Sequence, residues 1–261
     1  MAAIINTNLL SLNAQRNTSS SQNSLATSLQ RLSSGLRVNS AKDDAAGLAI
    51  AERLNAQVRG GNVAIRNAND GISLAQTAEG ALAKVSDSLQ RMRELAVQAR
   101  NATNTNADKD SLDKEFGELA KEIQRVLGGT TFNGRAILAG NSGTQTFQVG
   151  ANTTSNDRID VVTTDMTASA DITAVAGTDN TGAGRAVIDN TAVGATIDTV
   201  IANIDTAVNT VSSERATLGA SQNRFDQVIS NLQISVENQS AARSRITDAD
   251  FAIETHTSPE P

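Results

Sequence analysis

The sequence has no cysteine, tryptophan or tyrosine, and its only aromatic residues are five phenylalanines among 261 residues. The lack of cysteine excludes disulfide frameworks and thiolate metal sites. Aromatic side chains supply much of the buried area of ordinary cores. Their scarcity favours long helices packed through thin seams of alanine, leucine, isoleucine and valine, and it argues against an enzyme built around a deep pocket.

The sequence also lacks clustered positive charge, long apolar runs and a recognisable secretion signal. Its net charge is −6, whereas nucleic-acid binding needs clustered lysine and arginine to neutralise phosphates. No apolar run approaches the roughly 18 residues of a membrane span. The first residues show no basic region followed by an apolar core, so no Sec signal peptide is predicted. We therefore expect neither nucleic acid nor a membrane among its partners.

Proline occurs only at Pro259 and Pro261, so no proline ring interrupts a helix before the end of the chain. A first helical tract is predicted from about residue 5 to residue 36. Its apolar residues are spaced by three and four on both sides of a polar TSSSQNS stretch, and Leu25, Leu29 and Leu32 form the seam of the second half. Such a weak stripe would be marginal as an isolated helix.

A second tract begins at SAKDD and continues to about residue 99. Ser40 and Asp43 have the spacing of a capping box, with aspartate in place of glutamate. Asp43 and Asp44 also lie where the helix dipole favours negative charge. A shorter helix is predicted at about residues 110–127, ended by Gly128 and Gly129.

The third tract keeps an unbroken four-three spacing from residue 197 to residue 246. Such a sustained heptad pattern predicts a coiled coil or a long bundle helix. Arg215 and Gln222 occupy seam positions, where they either fix the helix register or mark where the seam faces solvent. Both interpretations remain open from the sequence. The apolar seam residues are Ile197, Ile201, Ile204, Val208, Val211, Leu218, Phe225, Ile229, Leu232 and Val236.

The composition changes between the second and third tracts. Asn133-Gly134 predicts a tight turn ahead of an apolar run, and the stretches TQTFQVG and DRIDVV alternate as short strands do. Residues 163–196 are dominated by threonine, alanine, aspartate, asparagine and glycine. We interpret them as a small irregular excursion with little core of its own.

No constellation of residues indicates catalysis, a metal or a cofactor, so the chain is not predicted to be an enzyme. Asp43 and Asp44 fit a helix cap better than an acid–base pair. His256 is the only histidine and lies in a polar tail, and TGAG at residues 181–184 lacks the strand-to-helix context of a phosphate loop. By spacing alone, Arg91 and Glu94 are an ion pair on a solvated helix face.

Several motifs in this order closely resemble those of bacterial flagellin, the subunit of the flagellar filament. The resemblance covers about residues 1–150 and 195–252. The motifs are INTNLLSLNAQRN, SLQRLSSGLRVNSAKDDAAGLAIAERL, QRMRELAVQA, TTFNGRAIL and ISVENQSAARSRITDADFA.

The resemblance implies a mainly α protein of D0–D1 type. It would be an elongated rod of long packed helices and coiled coil, with a small β-hairpin region and a short variable excursion that faces outward. Residues 1–43 and 246–261 would belong to the inner shell (D0). Residues 44–130 and 196–245 would form the helices of the rod (D1), and residues 131–195 the hairpin and variable region.

The resemblance also implies a function and a set of partners. The chain would be a secreted, extracellular subunit of the motility filament, exported unfolded by the flagellar type III system and self-assembling through its terminal helices. Its partners would be other flagellin subunits, the export apparatus, the cap and hook-junction proteins, and an export chaperone. QRMRELAVQ resembles the segment recognised by the Toll-like innate receptor, which implies that Arg91, Leu95 and Glu115 form a subunit-packing and receptor-contact surface.

Two other functions compete with the filament subunit. One is the hook–filament junction protein, which resembles flagellin at both termini. The other is a signalling coiled coil, which the β-rich centre argues against. After ITDADFA the residues IETHTSPEP carry no apolar stripe, so we expect no helix there. On that expectation the C-terminal inner-shell helix is missing, the chaperone interaction is in question, and the N-terminal tract is loosely ordered without its partner.

Overall fold

The computed structural model describes residues 8–257, which are mainly helical with two small antiparallel strand pairs, as the sequence predicts. The predicted seam start at Ile5 lies outside the described residues. No helix within 8–257 combines the length and the apolar character that crossing a membrane requires. The elements are α1 (Leu9–Ser34), α2 (Ala45–Ala99), α3 (Asn106–Gly129), β1 (Thr131–Phe132), β2 (Arg135–Ala136), β3 (Gly143–Gln148), a 3₁₀ turn (Ser155–Asp157), β4 (Arg158–Thr163), α4 (Ala170–Ala176), α5 (Gly194–Thr247) and α6 (Phe251–Thr257).

The chain divides into two compact units. The central unit consists of residues 63–232, and the terminal unit consists of residues 1–62 and 233–261, as far as they are described. Helices α2 and α5 each contribute residues to both units. The family-type boundaries proposed from the sequence at residues 43, 130, 195 and 245 stay predictions.

The core of the central unit is a seam between α2, α3 and α5. On α5, every seventh residue from Ile197 to Phe225 is fully buried, which places one heptad position of this part of the helix directly against the core. The alternate seam position is only partly buried, as at Ile201, Val208 and Ile229. The predicted seam thus has a buried edge and a half-exposed edge. The buried edge comprises Ile197, Ile204, Val211, Leu218 and Phe225.

Phe225 connects the helical seam to the β region. Its ring stands edge-on to Phe147 of β3, with 5.6 Å between the ring centroids. On its other side it lies so close to Gly71 of α2 that a Cβ there would be 2.5 Å from the ring. Only glycine at position 71 lets this ring lie against the α2 backbone.

The predicted turn and short strands are present, and they form two antiparallel strand pairs. Asn133 and Gly134 have φ values of 50° and 76°, as a two-residue type I′ turn requires, and they join β1 to β2. Strands β3 and β4 pair from Gly143–Thr163 to Gln148–Arg158. Alternate residues of β4 are buried against the helices, which follows from the period of two along a strand.

Residues 163–196 were expected to form a small excursion with little core of its own, and they share the common core of the central unit. Large side chains are few there, and two of them, Val187 and Val193, are exposed. The side chains of this segment that are buried in the common core are Met166, Ile172, Val175, Ala176, Ile188 and Ala192. The polar residues close the loops between them. Asp165, Asp179 and Asp189 each accept hydrogen bonds from the backbone and hydroxyl of the threonine two residues later.

In the terminal unit, α1 is one continuous helix through the polar stretch that was expected to weaken it. The Asn8 side chain accepts from Ser11 N–H at its start, and Gly35 takes a left-handed conformation at its end. The chain then crosses to the end of α5, where the N–H groups of Arg37 and Val38 both donate to the carbonyl of Thr247.

The expectation of no helix after ITDADFA is wrong, because residues 251–257 form α6. The Asp250 carboxylate accepts from the N–H of Ala252 at 2.9 Å and so caps the helix that the sequence analysis missed. Glu254 of α6 pairs with Arg31 of α1 at 3.0 Å. The N-terminal tract therefore has a helical neighbour in this structure. Whether it is loosely ordered in solution stays a prediction.

The cap of α2 is Asp44, four residues after the predicted cap residue Ser40. Ser40 does pair with Asp43, whose carboxylate accepts from the N–H and the hydroxyl of Ser40 at 2.8 and 3.0 Å. These bonds lower the pKa of Asp43, the hydroxyl contributing most. They close the turn before the helix, however, and it is Asp44 that accepts from Gly47 N–H in the first turn of α2.

Candidate interaction surface

Antiparallel packing of α2 and α3 brings Arg91 and Glu115 together across 24 residues of sequence. The guanidinium donates from Nε to Glu115 Oε1 at 2.8 Å and from its Nη1 to Glu94 Oε2 at 2.8 Å. We call Arg91, Glu94 and Glu115 the α2–α3 charged surface. The sequence placed Arg91 and Glu94 one helical turn apart, but the partner from α3 could not be found from spacing.

The α2–α3 charged surface is exposed to solvent, and the guanidinium of Arg91 within it stays protonated. The side chains of Arg91 and Glu115 are 48 % and 47 % exposed. Hydrogen bonds, first to Glu94 and then to Glu115, raise the pKa of Arg91. Because exposed ion pairs contribute little to stability, these side chains can change partners at small cost to the fold.

Leu95 does not belong to that surface, although the resemblance placed it there with Arg91 and Glu115. It is fully buried in the central core. Leu89, Met92 and Leu95 follow one another at intervals of three residues along the core-facing side of α2. This spacing could have revealed the burial from sequence. The exposed apolar residue nearby is Val97, which lines a shallow groove with Gln90, Arg93, Glu94 and Gln98.

Two exposed arginine–aspartate pairs link α2 to α5. Arg93 Nε lies 2.6 Å from Asp205 Oδ1, and Arg100 Nε lies 2.9 Å from Asp198 Oδ1. The hydrogen bond that Arg93 donates to Asp205 raises the pKa of Arg93. The two pairs are seven residues apart on both helices, as an antiparallel heptad seam requires. The sequence contains both seven-residue intervals, from Arg93 to Arg100 and from Asp198 to Asp205.

The open question about Arg215 is answered by a third contact between these helices. Its guanidinium donates to Glu79 Oε1 at 2.7 Å, and both side chains are about one-third exposed. Arg215 therefore occupies the half-exposed edge of the seam and also pairs across it. Gln222 lies on the same edge and is partly buried.

A second surface of interest is apolar and lies on the terminal helices. Within Leu9–Ser34 no side chain is buried, and the predicted seam residues Leu29 and Leu32 remain 56 % and 38 % exposed. Leu25 is partly buried beside α6. Exposed leucines in this number indicate that α1 can form an interface with other molecules. We call it the terminal apolar surface: Leu9, Leu10, Leu12, Leu29, Leu32, Phe251 and Ile253.

Neither surface has the features of a catalytic or metal site. Within the described part of the chain no three histidine, aspartate or glutamate side chains converge as metal ligands. The arrangement consists of helix seams, exposed ion pairs and exposed leucines. Such features support protein–protein contact.

Comparison with known proteins gives consistent relatives at both ends of the chain. The family model for the bacterial flagellin N-terminal helical region matches residues 5–143, and that for the C-terminal helical region matches residues 201–257. A flagellin of Halalkalibacterium halodurans is 47 % identical over 251 residues, covering 96 % of this chain and 88 % of that protein.

Solved structures show a similar fold. The crystal structure of Bacillus cereus flagellin is 34 % identical with a TM-score of 0.52, covering 64 % of this chain and 88 % of that one. A putative flagellar hook-associated protein from Vibrio parahaemolyticus has the same TM-score, covers 83 % of this chain and all of that one, and is only 14 % identical. The latter is a likeness of fold alone.

Proposed function

This chain belongs to the bacterial flagellin family, and from that premise we propose which of its surfaces carry out assembly and recognition. The family is structural and not enzymatic. The chain is accordingly a structural subunit of the extracellular flagellar filament that serves motility, and it assembles with other flagellin subunits. Nothing in the structure or its relatives favours the hook–filament junction protein or a signalling coiled coil.

The terminal apolar surface is the proposed self-assembly interface. The observation that supports this is that α1 runs through 26 residues with no buried side chain while presenting leucines at 46–82 % exposure near its start. Covering these leucines with the same helices of neighbouring subunits would remove them from water, which is the main driving force of protein association. The burial is gained only on assembly, so the monomer can remain soluble until seeds are present.

Replacing Leu10 by aspartate is expected to raise the critical concentration for seeded polymerisation by about ten- to a hundredfold. Burying one leucine contributes about 1.5–3 kcal/mol, and each 1.4 kcal/mol changes an association constant about tenfold. Leu10 is 82 % exposed in the single chain, so the fold should be unaffected. Sedimentation of filaments at graded subunit concentrations measures the effect.

Asn13→Asp is the matched control, because Asn13 is an exposed polar residue of α1 and the substitution adds the same charge. It should leave the critical concentration close to that of the unmodified chain. If both variants polymerise alike, the terminal apolar surface is not the interface. The far-ultraviolet circular dichroism of both variants should match the parent.

The finer partners of the filament subunit are also proposals. We infer export in the unfolded state through the flagellar type III channel, followed by addition beneath a cap protein at a filament joined to the hook by junction proteins. A core with few aromatic side chains supports this, because such a chain loses little buried area when kept unfolded. An export chaperone would bind the C-terminal segment, where α6 offers the exposed Phe251 and Ile253.

The α2–α3 charged surface is the proposed site for a host Toll-like receptor. Arg91→Glu should weaken receptor signalling strongly, because it replaces the cation and sets three carboxylates together. The exposed pair contributes little to the fold, so thermal unfolding should hardly change. A cell reporter of receptor activation, with purified monomer as agonist, measures the response.

Arg125→Glu is the control for that experiment, since Arg125 is an exposed arginine of α3 that pairs with Glu122 three residues away. It should signal like the parent. Leu95→Ala shows how a folding defect affects the assay, because Leu95 is buried. This variant should lower both the stability and the signalling, whereas Arg91→Glu should lower the signalling alone. Full signalling by the Arg91 variant would refute the assignment.

A further inference from the structure

We propose that Asn133, in the turn of the β1–β2 hairpin, is a site of spontaneous deamidation. Hydrolysis there converts the asparagine to aspartate and isoaspartate. The starting observation is chemical. Asn133 is the only asparagine followed by glycine in the sequence. Glycine has no Cβ to shield its nitrogen, so the backbone nitrogen of Gly134 can approach the side chain of Asn133.

The surroundings of the turn leave both reacting groups accessible. Asn133 and Gly134 are both exposed. Within residues 8–257 no hydrogen bond engages the Asn133 side-chain amide or the Gly134 N–H. Other asparagines are held differently: Asn67 donates to the carbonyl of Gln148 at 2.9 Å, and Asn104 donates to that of Gln98.

The hairpin opens easily enough to allow the reaction. Its strands have two residue pairs, Thr131 with Ala136 and Phe132 with Arg135, and one further backbone hydrogen bond joins Ile137 to Thr130. Such a short hairpin is marginal by itself, and segments with few hydrogen bonds open locally at small free-energy cost. The left-handed conformation of Asn133, φ 50°, is itself less favourable for a non-glycine residue. Opening relieves it.

The reaction balances with water alone. The Gly134 nitrogen loses its proton to base and attacks the Asn133 side-chain carbonyl carbon. The attack closes a five-membered ring, the amide nitrogen takes up a proton, and its bond to that carbon breaks, so that ammonia leaves and a succinimide remains. Water then opens the ring at either carbonyl, giving aspartate or isoaspartate. One water is consumed and one ammonia is released, with no oxidation or reduction.

The product changes the hairpin in two ways. Either acid adds a negative charge at residue 133. Isoaspartate also lengthens the main chain by one methylene, so a two-residue type I′ turn no longer fits. The buried residues Ile137 and Leu138 follow directly, and Ile137 N–H donates to Thr130 carbonyl at 3.1 Å. We therefore expect the change in backbone conformation to be confined to the turn and the core packing to be unchanged.

The full chain offers a direct test by peptide mapping. The protein is incubated at mildly alkaline pH and then digested with trypsin, which cleaves after Arg125 and Arg135 and releases residues 126–135 as one peptide. Asn133 carries the only side-chain amide in that peptide. The peptide should convert to a pair of products separable by chromatography, one of them a substrate for isoaspartyl methyltransferase. The neighbouring peptide 136–158, which contains Asn141-Ser142, should convert later.

Asn133→Gly is the matched variant, since a Gly-Gly pair also suits a type I′ turn. It should lose the isoaspartate signal from peptide 126–135 while the signal from peptide 136–158 stays unchanged. The chain unfolded in guanidinium chloride calibrates the intrinsic rate. If peptide 126–135 remains intact in the folded chain after the unfolded chain has converted it fully, the proposal is overturned.

Discussion

Replacing Phe225 by alanine lowers the free energy of unfolding by about 3–5 kcal/mol, the range for removing a buried phenylalanine. The ring is fully buried and fills the space between Gly71 of α2 and Phe147 of β3. On the α2 side, Gly71 has no side chain that could fill the cavity left by the ring. Urea unfolding followed by circular dichroism measures the loss.

Phe251→Ala is the control for this prediction, because the same side chain is 67 % exposed in α6. It should change the free energy of unfolding by no more than about 0.5 kcal/mol, as surface substitutions do. A second variant, Phe147→Leu, removes the edge-on ring pair but keeps an apolar side chain. Equal losses from Phe225→Ala and Phe251→Ala would show that the seam is not packed as described.

Replacing Arg185 by alanine lowers the free energy of unfolding by about 3 kcal/mol, because it leaves the buried carboxylate of Asp113 without its partner. Arg185 donates to both oxygens of Asp113 on α3, at 2.9 and 2.5 Å, and the two side chains are 18 % and 12 % exposed. Asp113 also accepts from Ile188 N–H at 2.9 Å. The pair thus fastens the segment before α5 to α3, and amide exchange in residues 164–193 should accelerate when it is broken.

The double variant Asp113→Asn with Arg185→Met distinguishes a lost partner from a lost contact. It removes both charges and keeps an acceptor oxygen for Ile188 N–H, so most of the stability should return. Arg125→Ala breaks an exposed pair on the same helix and should leave unfolding unchanged. If Arg185→Ala and the double variant are equally unstable, the buried charge is not the cause.

The same pair gives the stability a defined dependence on pH. Burial raises the pKa of Asp113, but the hydrogen bonds from Arg185 and Ile188 outweigh it and hold the pKa below its usual value. The stabilisation is therefore complete above the ordinary carboxyl pKa of about 3.9 and is lost as the pH falls through the lower folded value. Asp113→Asn should flatten this part of the acid unfolding curve.

Local patterns in the sequence predicted the elements well. The heptad spacing from Ile197 to Val236 predicted α5, and Asn133-Gly134 predicted the β1–β2 turn. Both succeed because helix period and turn geometry are set by residues within a few positions of one another. Position-specific patterns also contained information that was missed: Asp250 is a helix cap for α6, and Leu95 keeps the core spacing of α2.

By itself, then, the sequence determined the long helices, the Asn133-Gly134 turn and the filament-subunit family, since these depend on period, turn residues and motif order. Only the tertiary structure decided which edge of the α5 seam is buried and that residues 164–193 contribute to the core. It also decided that Glu115 contacts Arg91 and that Leu95 is buried. The physical reason is that these outcomes depend on residues far apart in sequence. Asp113 and Arg185 are 72 positions apart, and nothing local to either specifies the other.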